Sequence, residues 1–165
     1  MSSSLHDKDS SEWRNQRAQL ALTVLRLGLG SLFVWVFFEN LGKGLYSPAG
    51  YSGVINYYLE KGHGPQLLKT VMALMVNHAS VAGPMQGFTE ITFGVLLLIG
   101  FLTRPVALGA LLFLSTLWMA EWGTAWIWEL LMPMIVALVL MIGAAGRKWG
   151  IDGLIARRYP RSLLW

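Results

Sequence analysis

Glu90 stands alone inside the apolar run 84–102, a stretch long enough to cross a membrane. An ionised carboxylate at bilayer depth costs roughly 2.5–3.5 kcal/mol even on translocon-insertion scales. It is therefore expected to be paired, protonated or open to a cavity. Arg26, the only charge in the first apolar run 18–38, is the candidate partner. Counting from the helix ends puts Arg26 about 12 Å and Glu90 about 18 Å from the same face, an offset an arginine side chain can span. Two readings fit this spacing. Glu90 is a proton acceptor beside a bound ligand, tuned by Arg26, so that both are catalytic; or the pair is a structural lock on helix register.

The other candidate ligand-binding residues lie toward the opposite face. Glu129 comes four residues before Pro133, which cannot donate to the Glu129 carbonyl, so a kink and a polar gap are expected there. Glu39 and Glu121 share that level, where interfacial solvation is the simpler account. His63 and His78 are the only histidines in the segment expected outside. Ligand-binding contact is assigned to Glu129, Glu39 and His78. Metal or haem ligation needs more ligands at organised spacing than this chain offers, so neither is predicted.

These residues need elements to hold them. Four apolar runs, 18–38, 84–102, 105–120 and 125–145, approach the roughly 20 residues a membrane-spanning helix requires. The expected fold is all-α: a four-helix transmembrane bundle, with a short amphipathic helical segment on the external side between helices 1 and 2. A polar tail, 1–17, precedes a membrane domain at 18–146 that includes the external segment 39–83. A basic interfacial tail, 147–165, follows. Within the external segment, 51–60 reads as a short helix, Gly62-His63-Gly64 as a break, and Pro65 as the start of a second helix. That second helix lies on the membrane surface or caps the bundle. The first run is too long for a cleaved signal peptide and reads as a signal anchor. Gly28, Gly30, Gly87, Gly94 and Gly100 are expected to permit close helix contact.

Composition agrees: 55% of the 165 residues are hydrophobic and 13% charged, where soluble domains carry about a quarter charged. Nine basic residues, from Lys8 to Arg161, fall on the side of the termini. Only Lys43, Lys61 and Lys69 fall opposite, so both termini are expected in the cytoplasm. The net charge of +4 then serves lipid headgroups rather than nucleic acid. The eight tryptophans, Trp165 among them, suit interfacial belts. There is no cysteine, which removes disulfides and thiolate catalysis.

The order of three short motifs resembles the DoxX family. Leu25-Arg26-Leu27-Gly28-Leu29-Gly30 with Leu41-Gly42-Lys43 is similar to its first helix. Glu90-Ile91-Thr92-Phe93-Gly94, leading to Gly100-Phe101-Leu102-Thr103-Arg104, is similar to its second helix and turn. Gly143-Ala144-Ala145-Gly146-Arg147 with Asp152 is similar to its ending. The long external segment looks more like the DoxD branch, which contains the small membrane subunit of thiosulfate:quinone oxidoreductase. The resemblance implies a quinone as cofactor or substrate, partner subunits, and a bacterial or archaeal cell membrane. The alternative expectation is a non-catalytic accessory subunit of a larger respiratory or photosynthetic complex.

Overall fold

The computed structural model describes residues 2–143 and 145–159; Arg161 and Trp165 of the basic tail lie outside the described residues, as do the side chains of His6 and Lys8. The chain is helical throughout: α1 (Ser2–Gly42), α2 (Pro48–Lys61), α3 (Gln66–Asn77), α4 (Ala79–Ile99), α5 (Thr103–Ala120), α6 (Ile127–Ile142) and α7 (Ile151–Arg158). Three helices are long and apolar enough to span a membrane, within α1, α4 and α5; the apolar part of α6, Trp128–Ile142, is shorter. At 16 residues α6 is about 24 Å long, so its ends must sit below the interfaces or the bilayer must thin there. Outward-facing Val24, Phe88, Leu112 and Ile142 are each 60% exposed or more, an apolar exterior that suits lipid.

The boundaries depart from expectation in two places. The polar lead 2–17 is not separate from the first helix but its continuation. The second membrane helix begins at Ala79, with Pro84 inside it, rather than at the start of the apolar run. Pro84 falls in the second turn, where few intrahelical N–H bonds are lost.

The bundle consists of two closely packed pairs, α1 with α4 and α5 with α6, joined more loosely to each other. Gly30 and Gly94 explain the first pair. A β-carbon on either would come within 3.1 Å of the other's carbonyl oxygen, so only glycine allows the two backbones so near. Gly28 has open space before it and plays no such part. The core between the pairs contains Leu97, Ala107, Ala110, Ala137 and Leu140, all fully buried. A second cluster, with Tyr51, Ile55, Met72, Ala82 and Ala120, packs α2 and α3 against the ends of α4 and α5. The external segment is thus a packed cap. Leu67 and Leu74 of α3 remain exposed on its far side.

At the opposite face the middle of α1 and the ends of α4, α5 and α6 meet the chain around α7. Arg26, fully buried, donates to the carbonyls of Leu97 (2.9 Å), Leu98 (3.3 Å) and Trp149 (2.9 Å). Arg104 does the same for α6, reaching Met141 O at 3.1 Å and Ile142 O at 3.0 Å. Both place a cation on carbonyls at a helix C-terminus, where it complements the helix dipole; the Leu97 carbonyl also accepts from Gly100 N–H at 3.2 Å. Asp152, fully buried, accepts from the N–H groups of Leu102 (2.7 Å) and Thr103 (2.8 Å), capping the start of α5 from a distant part of the chain.

Gly100 is where this tie is tightest. It ends α4 at φ 66°, and a β-carbon there would overlap the Arg26 guanidinium and the Gly150 backbone. Gly100→Ala is expected to cost about 1–2 kcal/mol for the left-handed backbone alone, and more for displacing Arg26. A lowered midpoint of unfolding in a denaturing-detergent titration would show it.

Candidate functional site

At the face away from α7 the two helix pairs part and enclose a cavity of about 320 Å³ roofed by α2. Its inner walls are apolar: Leu32, Phe33 and Val36 from α1, Phe113 and Leu114 from α5, Leu130 from α6. Its outer end is polar, with Asn40, Gln86, Glu90 and Glu121 prominent.

Glu90 is 2% exposed and bonded on both carboxylate oxygens. Gln86, one turn earlier on α4, donates to Oε1 at 2.9 Å. Asn40 at the end of α1 donates to Oε2 at 3.3 Å, and the Tyr46 hydroxyl donates a short hydrogen bond to the same oxygen. Tyr46 reaches it because the chain turns back after α1. Gly44, at φ 70°, allows the turn, and Gly87 leaves room for the Tyr46 ring, which also stacks on Phe37. Burial first, and then the Glu90 carboxylate, push the Tyr46 hydroxyl well above the ordinary phenol range. It therefore stays a donor. Three donors replace the water that Glu90 loses at this depth.

A second tyrosine–carboxylate pair lines the same cavity. Tyr58 of α2 donates to Glu121 Oε1 at 2.7 Å. Burial raises the Glu121 carboxyl above its usual value and nearby Glu129 raises it further, against the opposing effect of Tyr58. A raised native value means that the folded chain holds this proton more tightly than the unfolded one. Stability from this group is thus fully present below about pH 4.5 and is lost as pH rises from there through the raised value. Glu121→Gln is expected to raise the melting temperature at pH 7, with the gain shrinking toward pH 4.5. Melting curves across that range would reveal an unchanged difference if the coupling were absent.

The structure brings Glu90, Glu129 and Glu39 to one cavity. Glu129 and Glu39 are exposed at its rim, where Glu39 is paired with Lys43. His78 does not join them. It sits between α3 and α4 with Nδ1 3.0 Å from the Leu74 carbonyl oxygen, away from the cavity lining.

The expected Arg26–Glu90 pair is corrected by the geometry. Arg26 bonds at the level of Leu97 and Leu98, seven residues or about 10 Å along α4 from Glu90. The depth count failed because α1 runs on past the start of its apolar run and α4 ends at Ile99. Tyr46, Tyr58, Asn40 and Gln86 escaped the sequence reading. Only Gln86 carried a signal, its i, i+4 spacing to the lone carboxylate.

Fold and site together define a polytopic, all-helical membrane protein with an acid-ended cavity in the half away from α7. Residues 21–164 match the DoxD family, described as the TQO small subunit DoxD, TQO being thiosulfate:quinone oxidoreductase. The chain belongs to that family. Comparison with curated proteins and with solved structures finds no match.

Proposed function

We propose that this chain is the quinone-contacting membrane subunit of a quinone-linked oxidoreductase of a respiratory chain, seated in the cell membrane with both termini cytoplasmic. The observation that carries the reading is the buried Glu90 carboxylate, with its three donors, at the polar end of an otherwise apolar cavity. A quinone has matching chemistry: ring oxygens that need hydrogen bonds, and an apolar body that needs a dry wall. At about 320 Å³ the cavity is near the lower end of ligand sites, roughly 300–1,000 Å³, suited to a ring and the start of a tail.

Reduction of a quinone to a quinol takes two electrons and two protons, one proton on each oxygen. The electrons come from a partner subunit that oxidises a sulfur donor. This chain would hold the ring, with Asn40 and Gln86 as donors beside one oxygen, Glu90 relaying a proton from solution to it, and the other oxygen taking the second proton from solution through the rim. Glu129 and Glu39 form the polar rim.

Native mass spectrometry of the chain in mild detergent with added quinone tests the site without needing a partner. One quinone per chain is expected, and none in Val36→Trp, whose indole fills the apolar end of the cavity. Equal binding by both would place any quinone elsewhere and remove this reading.

A further inference from the structure

Glu90 is enclosed unequally by its surroundings. The buried polar side chains among the described residues are Thr23, Arg26, Glu90, Thr103 and Asp152. Thr23 bonds the Lys148 carbonyl at 3.4 Å, so every one except Glu90 belongs to the tie at the α7 face. Between that tie and Glu90 lies an aromatic plug. Phe33, Phe93 and Phe113 stand with ring centroids 5.6–6.2 Å apart, above fully buried Leu97, Ala107 and Ala110. A proton needs a chain of hydrogen-bonding groups or water, and a close-packed apolar layer about 10 Å deep supplies neither.

Toward the other face the situation reverses. The cavity that Glu90 lines is also lined by the Tyr58–Glu121 pair, by exposed Glu129, and by the exposed Glu39–Lys43 pair. The charged groups facing this mouth are three carboxylates and one ammonium. The mouth is therefore negative overall, and its polar groups share one cavity with Glu90.

We propose that Glu90 exchanges its proton solely with the solution on the α2–α3 face, along the route lined by Glu129 and Glu121, and is sealed from the α7 face. The inference rests on the quinone reading for the proton's use, but not for the route. Protons taken up at the site come from the side opposite the termini, so quinone reduction here consumes protons from that side alone.

The absence of cysteine makes the route directly testable, because an introduced thiol is the only one in the chain. Glu90→Cys, in the full chain reconstituted in oriented vesicles, is treated with membrane-impermeant methanethiosulfonate reagents, whose sulfur the thiolate attacks to form a mixed disulfide with release of methanesulfinate. Modification is expected from the α2–α3 face only, at a rate that follows the pH of that side. Leu154→Cys on α7, at a position 66% exposed, reports the other side. A cationic reagent should react roughly tenfold faster than an anionic one of the same size, drawn by the carboxylates at the mouth. Adding Glu121→Gln and Glu129→Gln should bring the two rates together. Gln86→Cys, one turn away on the cavity wall, serves if Glu90→Cys does not fold.

Labelling from the α7 face, or from neither face in both cysteine variants, would overturn the proposal. Protection by a short-tailed quinone analogue is read separately. Its absence, with labelling still from the α2–α3 face, removes the quinone reading and leaves the route intact.

Discussion

In the Glu90→Gln variant, quinone reduction by the assembled complex is expected to fall about 10²–10⁴-fold, the usual contribution of a positioned general acid or base. The substitution is nearly isosteric. Glutamine keeps a carbonyl oxygen for Gln86 and turns an amide toward the Tyr46 oxygen, which can accept as well as donate. The contacts with Gln86 and Tyr46 therefore survive, the 3.3 Å bond from Asn40 survives only if the Asn40 amide flips to accept, and the transferable proton is lost. Assembly, melting temperature and quinone binding should stay close to wild type, so the loss should appear in kcat with little change in KM. Tyr46→Phe should cost less, because it removes a donor and leaves the carboxylate. Steady-state rates on membranes carrying each variant decide the matter: a Glu90→Gln rate equal to wild type would strip Glu90 of any part in proton transfer.

Asp152→Ala is expected to strike stability instead, by about 3–5 kcal/mol. Each of the two buried N–H groups it orphans, on Leu102 and Thr103, costs about 1–3 kcal/mol. The change also removes the negative charge that interacts with fully buried Arg26. Asp152→Asn retains one acceptor oxygen and should lie between wild type and alanine. Unfolding in a denaturing-detergent titration measures the series. A near-neutral alanine variant would mean that water or the rearranged α7 segment takes over the cap.

The four-helix plan was legible because apolar runs of membrane length admit few other structures: a backbone in lipid must satisfy its own hydrogen bonds. Glu90 was legible for the related reason that a lone carboxylate there demands an explanation. Its partners were not. Tyr46 reaches Glu90, and Tyr58 the cavity, only because the chain folds back after α1, and helix rotation is poorly specified where every face is apolar. Arg26 was matched to the wrong group because its charge was paired with the nearest opposite charge by depth. Helix C-terminal carbonyls were competing partners, and one arginine can satisfy several of them at once. The displaced start of α4 has a similar cause. Ala79–Gly83 is only mildly apolar, yet it is helical because Ala79 and Ala82 pack against α2 and α3.

Much of what makes this chain recognisable meets at one end of the molecule, although Lys43 and Glu90 of the same motifs line the cavity at the other. Arg26, the turn from Gly100 to Thr103, and Gly146 with Asp152 all belong to the same tie, where a β-carbon on Gly146 would overlap Asp152 and Thr103. Likeness at those positions reports how such a bundle is fastened and says little about what it handles. The residues that line the cavity sit at the far end, on walls the fastening does not touch. A scaffold divided this way could change what its cavity accepts by altering Asn40, Tyr58, Gln86 and Glu121 while keeping its signature. Within such a lineage, the tie identifies the vessel and the outer cavity identifies the trade.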